Sequence, residues 1–224
     1  GNSVEAAVAL YRSLFPAPAP SERTAARVLF GEDGTGGVAW EQGCEFWEDS
    51  PLFVQWRNGP CGALACVNAL VLLETTRGLD RDDAFRRAVG NLLFRCAVAG
   101  DVLATGKALT TTERPFTVAT LLGKKGEQRR YESPGEWLES PQLSRAAEAF
   151  RTSLTALCLS AVATRGVERC ASESKGPLAS PAFCGSELVD LLLTGSARGD
   201  LFFEPGTQQR CRRRVGLVGF LSSD

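Results

Sequence analysis

The sequence contains no histidine, methionine or isoleucine, and only 4 of its 25 basic residues are lysine. The missing histidine is chemically sharp. It excludes His-ligated metals, a Ser-His-Asp triad and a complete Cys-His dyad within these 224 residues. The missing methionine and isoleucine, beside abundant Arg, Ala and Gly, read as a GC-rich coding bias. With no initiator residue, the chain reads as part of a longer translation product. Charge of one sign is also lacking: net charge is −1, so no whole-chain basic footprint exists for nucleic acid or an anionic membrane. No uncharged run reaches the ~18 apolar residues of a membrane span. No Cys-x-x-Cys pair occurs among the eight cysteines, which argues against thioredoxin-like and zinc-ribbon chemistry. Several cysteines sit in apolar runs such as Ala65-Cys66-Val67 and Leu157-Cys158-Leu159, as reduced core thiols do. The expectation is a soluble, intracellular protein, cytoplasmic or nuclear, with no metal and no cofactor.

What is present reads as one helix-rich α+β domain over 1–224, with the helices and loop at 1–37 expected to be peripheral. Val4, Ala7, Val8, Tyr11 and Phe15 have helical spacing. Ser21 is placed to cap a short helix ending at Phe30. The Gly31–Gly37 stretch lacks the Gly-Lys-Ser/Thr ending of a phosphate-binding loop. Trp40, Phe46, Trp47, Phe53 and Trp56 read as a core cluster. Asn58 is the expected N-cap of a helix running to Thr76, apolar on nearly all faces and therefore expected at the domain centre. Further helices are expected at 80–99, 144–164 and 187–193, the last capped by Ser186 and ended by Gly195. Strands are expected at 115–122, 128–132 and 214–221, and a mobile loop at 166–181. The basic run Arg210–Arg214 reads as an exposed loop, and Asp80, Asp82 and Asp83 as acids serving a helix dipole.

The chemical signal is Gln55-Trp-Arg-Asn-Gly-Pro-Cys61-Gly62. Cys61 falls in the first turn of the helix, where backbone N–H groups and the dipole favour negative charge. That is a setting for a thiolate nucleophile. Gly59 and Pro60 turn the chain into the helix, and Gly62 leaves room for a substrate main chain. Gln55, upstream, can supply an amide donor to an oxyanion. Gln ahead of a Cys that heads a central helix is the logic of papain-like cysteine proteases. An inert Cys at a helix start is the commoner alternative.

Gln55, then Asn58-Gly59-Pro60-Cys61-Gly62-x-Leu64-Ala65-x-Val67, resembles the active-site motif of the MINDY deubiquitinases, in the branch that carries Gly-Pro-Cys-Gly. The stretches beginning at Leu154, Glu187 and Val218 resemble other family segments, so the likeness runs from about residue 40 to the end. The resemblance implies a papain-like fold with a small antiparallel sheet, truncated at the C-terminus. It implies Cys61 as nucleophile, Gln55 as oxyanion-hole donor, and polyubiquitin of the proteasome-targeting lysine linkage as substrate and partner. The family's catalytic His lies in a Ser-His-Phe context beyond the segment matched by Val218–Ser222. The 224 residues, lacking any His, are therefore expected to be inactive alone. The alternative is a pseudoenzyme that binds ubiquitin or acts as a scaffold.

Overall fold

A computed structural model of the chain describes residues 22–32, 34, 36–98, 116–118, 129–131 and 134–199. Helix α1 spans Glu22–Phe30 and is followed by a single 3-10 turn at Val38–Trp40. Helix α2 is Cys61–Thr76 and α3 is Arg81–Val98. Strands β1 (Phe116–Val118) and β2 (Arg129–Tyr131) pair antiparallel, with Thr117 opposite Arg130. Then come α4 (Pro134–Leu138), α5 (Pro141–Thr152), α6 (Leu154–Arg165), α7 (Val167–Glu173) and α8 (Ser186–Thr194). Helix dominates, as the sequence pattern requires. Among the described residues the sheet is this one three-residue ladder. The expected helix at 3–15 and strand at 214–221, with the Arg210–Arg214 run, lie outside the described residues.

Asp80 starts α3: its carboxylate accepts from the N–H groups of Asp82 (3.0 Å) and Asp83 (2.9 Å). Asp80 thus caps the helix, a role beyond the dipole service expected of the three acids. Glu74, near the end of α2, accepts from Arg77 at 2.7 Å and from Asn91 of α3 at 3.1 Å. This buried carboxylate ties α2 to α3 at the end remote from Cys61.

The core joins Leu64, Val67, Leu70 and Val71 of α2 to Leu157 of α6 and to Leu191 and Leu192 of α8. The centre, however, is α6 rather than α2. Every residue from Leu154 to Ala163 is buried. Leu72 of α2 is 46% exposed, so α2 keeps one face at the surface despite its apolar sequence.

Four local expectations give way. The single helix expected at 144–164 is two helices, broken at Ser153, whose backbone is extended (φ −149°, ψ 102°). The break has a cause in the chain far upstream. Leu154 N–H donates to Gln42 O at 2.9 Å, and Arg151 O accepts from Cys44 N–H at 2.9 Å. Segment 42–44 thus takes the backbone groups that a continuous helix would use. Ser153 then caps α6, its hydroxyl accepting from Ala156 N–H at 3.1 Å. Residues 166–181, expected as a mobile loop, contain α7 instead, anchored by buried Val167 and Cys170. Gly185 rather than Ser186 is the N-cap of α8, while Gly195 ends that helix in the left-handed region (φ 82°) as expected. Finally, Trp40 is buried but Trp47 and Trp56 are 63% and 64% exposed, so the tryptophan group is only partly core.

Candidate active site

The loop entering α2 is pinned from both sides. Asn68, two turns into the helix, accepts from Phe53 N–H at 2.7 Å and donates to Phe53 O at 3.3 Å. Buried Gln42 donates to Ala39 O (2.8 Å) and Arg57 O (2.9 Å) and accepts from Trp56 N–H (3.1 Å). Gln42 carried no sequence signal, because one glutamine outside a motif is indistinguishable from a solvated one.

Gly59 makes the turn into the helix. Its φ of +126° lies where side chains are strained, and a Cβ there would stand 2.8 Å from the Ala39 Cβ. The chain therefore begins its helix two residues later than the Asn58 cap predicts. Pro60 is the N-cap, with its carbonyl accepting from Leu64 N–H at 3.0 Å. Asn58 is exposed in the bend before it. Cys61 becomes the first residue of α2.

Of the seven cysteines described, all free, Cys61 alone is exposed. Its Sγ lies 3.9 Å from Gly59 O. The other thiols are held protonated by burial. Desolvation pushes Cys44 and Cys170 up to about 12, and raises Cys66, Cys96 and Cys158 well above the ordinary thiol range. Cys184, half-buried, is also pushed up to about 12, desolvation outweighing the hydrogen bond its sulfur accepts from Ala63 N–H.

Gln55 is exposed on the same loop, and its Nε2 donates to Arg57 O at 3.0 Å. The two candidate side chains thus share a loop and each meets one of its carbonyls, Arg57 for Gln55 and Gly59 for Cys61. The expectation for Gly62 is corrected. A Cβ there would meet Val189 Cγ2 at 2.9 Å and Cys184 Sγ at 3.0 Å. The missing side chain makes room for the 184–189 segment of this same chain, not for a substrate backbone.

The second wall of the site is the 178–185 loop. Ala179 and Cys184 form an antiparallel bridge, Ser180 N–H donates to Phe183 O at 2.9 Å, and Trp40 Nε1 holds Ser180 O at 2.8 Å. Phe183 is 60% exposed on this loop and Val38 is 64% exposed beside Trp40. Arg57 ties the loop before α2 to the 3-10 turn, its Nη1 donating to Val38 O at 3.0 Å. The arrangement is an exposed thiol at a helix N-terminus between two hydrogen-bonded loops. No histidine exists in the chain to act as its base.

Among the described residues no group of His, Cys, Asp and Glu is arranged to hold a metal ion, and no helix is long and apolar enough to cross a membrane. No protein-family model matches the chain, and no curated protein or solved structure matches it either.

Proposed function

We propose that the chain is the nucleophile-bearing part of a papain-like cysteine deubiquitinase of the MINDY type. Its substrate would be polyubiquitin of the proteasome-targeting lysine linkage. The observation that carries the reading is the singular placement of Cys61. It is the exposed thiol among the seven described, on the first residue of a helix that follows a glycine turn. In acyl transfer the Cys61 sulfur attacks the isopeptide carbonyl, and the tetrahedral oxyanion forms near the first backbone N–H groups of α2. Gln55 would swing from Arg57 O to add its amide donor. The leaving lysine amine needs a proton from an acid, and an imidazole contributed from outside these 224 residues would serve.

The test is labelling by ubiquitin that carries a C-terminal electrophile. The reading expects one adduct, on Cys61, formed faster than with the same electrophile on a short unrelated peptide, and absent in Cys61→Ala. Equal rates with both reagents would reject ubiquitin recognition. An adduct that persists in Cys61→Ala would reject the site.

The absence of histidine favours one second reading, a pseudoenzyme that binds ubiquitin without cleaving it. Saturable binding of polyubiquitin by Cys61→Ala and by the native chain alike, with no adduct on the native chain, is its signature.

A further inference from the structure

A second thiol lies against the residue that follows the candidate nucleophile. The segment leaving the Ala179–Cys184 bridge crosses the start of α2, where the ideal Cβ position of Gly62 is 3.0 Å from Cys184 Sγ and 3.2 Å from Cys184 Cβ. Cys61 is the chain neighbour of Gly62, with Cα atoms about 3.8 Å apart. The Cys184 S–H is directed at Gly185 O, 3.7 Å away. Gly185 N–H in turn donates to Leu178 O at 2.9 Å, which closes the loop behind it. The two thiols have opposite surroundings: Cys61 is exposed and Cys184 half-buried.

We propose that Cys61 and Cys184 are a reversible redox pair, in which peroxide oxidises Cys61 and Cys184 closes an intramolecular disulfide onto it. In the first step the Cys61 thiolate attacks one oxygen of hydrogen peroxide. The O–O bond breaks, hydroxide leaves and is protonated to water, and the sulfur becomes a sulfenic acid, oxidised by two electrons. In the second step the Cys184 sulfur attacks the Cys61 sulfur. The S–O bond breaks, the S–S bond forms, and the hydroxyl leaves as water with the Cys184 proton. A dithiol reverses the bond by exchange and is itself oxidised to a disulfide. The division of labour follows from the surroundings. Exposure makes Cys61 the sulfur that peroxide meets first. Burial keeps Cys184 a thiol until a sulfenic acid forms next to it. The disulfide protects Cys61 from irreversible oxidation to the sulfinic acid. That it also blocks hydrolysis rests on the proposed nucleophilic role of Cys61; formation of the bond does not.

The experiment treats the whole chain with hydrogen peroxide, alkylates the remaining thiols and maps the digest by non-reducing mass spectrometry. A peptide joining Cys61 to Cys184, lighter by two hydrogens than its parts and lost on treatment with dithiothreitol, is the expected result. In Cys184→Ser, Cys61 should react with dimedone and then advance to the sulfinic acid. Cys61→Ser should give no cross-link, whereas Cys66→Ser should leave it in place. Conversion of Cys61 to the sulfinic acid in the native chain without the joined peptide overturns the pair. So does a bond from Cys61 to Cys66 or to a second chain. If Cys184→Ser does not fold, the map of the native chain decides alone. Labelling of the reduced chain by the ubiquitin electrophile separates the two proposals. A joined peptide without labelling retains the redox pair and rejects the deubiquitinase, and labelling without a joined peptide does the reverse.

Discussion

Gln42 and Gln55 donate to the same acceptor: the Nε2 of each reaches the carbonyl of Arg57, at 2.9 Å and 3.0 Å. One amide is buried and the other exposed, which divides their work. Gln42 also serves Ala39 O and Trp56 N–H, so it fixes the loop that leads to Cys61. Gln55 can leave its bond to Arg57 without unmaking that loop, since Arg57 O keeps the bond from Gln42.

Gln42→Ala is therefore expected to destabilise the protein far more than Gln55→Ala. Truncation removes three hydrogen bonds made by a buried side chain, each contributing about 0.5–1.5 kcal/mol. Gln55, exposed, should cost within about 0.5 kcal/mol. Urea unfolding of both variants checks this. Equal midpoints for the two would mean that the Gln42 hydrogen bonds do not hold the loop.

The apolar pattern of α2 made Leu64, Val67, Leu70 and Val71 legible as core, because helical periodicity reports burial through side-chain spacing. The Gly-Pro-Cys-Gly turn made Cys61 legible, because glycine, proline and a helix start each have a local signature. Ser153 was not legible in this way. Nothing between Ser144 and Thr164 announces a break, since the groups that compete for the helix backbone belong to Gln42 and Cys44. Gly43 lets that segment in: a Cβ there would lie 1.9 Å from Arg151 O. Trp47 and Trp56 failed for a different reason. Apolar character says that a tryptophan can be buried, while only tertiary packing says that it is. Cys184 had no readable role because its neighbour Gly62 lies far from it in the chain.

The placement of α6 at the centre yields a graded expectation for leucines. Leu157 is fully buried and Leu72 is 46% exposed. Leu157→Ala should lose about 2–5 kcal/mol of stability through lost transfer energy and the cavity left behind. Leu72→Ala should lose well under half of that, because nearly half of its surface stays in water in both states. Thermal and urea unfolding of the pair reads the difference. A larger loss at Leu72 would place α2, and not α6, at the centre.

Acid sensitivity is expected from Glu173. Burial acts to raise its carboxyl, but hydrogen bonds from Arg165 and from Ala197 N–H, with the Arg165 charge, outweigh it and hold the group below the usual range. The Arg165 and Glu173 side chains are only 1% and 8% exposed. With the folded pKa depressed, the unfolded chain takes up this proton first. The stabilisation is full above about pH 4.3, the ordinary Glu value, and fades as pH falls toward the lower folded value. Glu173→Gln should therefore be less stable than the native chain at neutral pH, and the gap should narrow below about pH 4.3. Urea midpoints across that range test it. A gap that widened on acidification would contradict the sign.

Thiol reactivity is the most direct expectation for the site. Burial pushes Cys44, Cys170 and Cys184 up to about 12 and raises Cys66, Cys96 and Cys158 as well. A thiol must ionise and meet its reagent to be alkylated, so these six are doubly protected in the folded protein. Cys61 is exposed. With limiting iodoacetamide at mildly alkaline pH, Cys61 is expected to be modified first among the seven described cysteines, the other six following only on the timescale of local or global opening. Peptide mapping over time reads the order. In denaturant the seven rates should converge, because burial sets the difference and unfolding removes it. Modification of Cys66 or Cys158 ahead of Cys61 in the folded chain would mean that the start of α2 is closed to solvent. In that case neither the acyl transfer nor the peroxide chemistry has a point of entry.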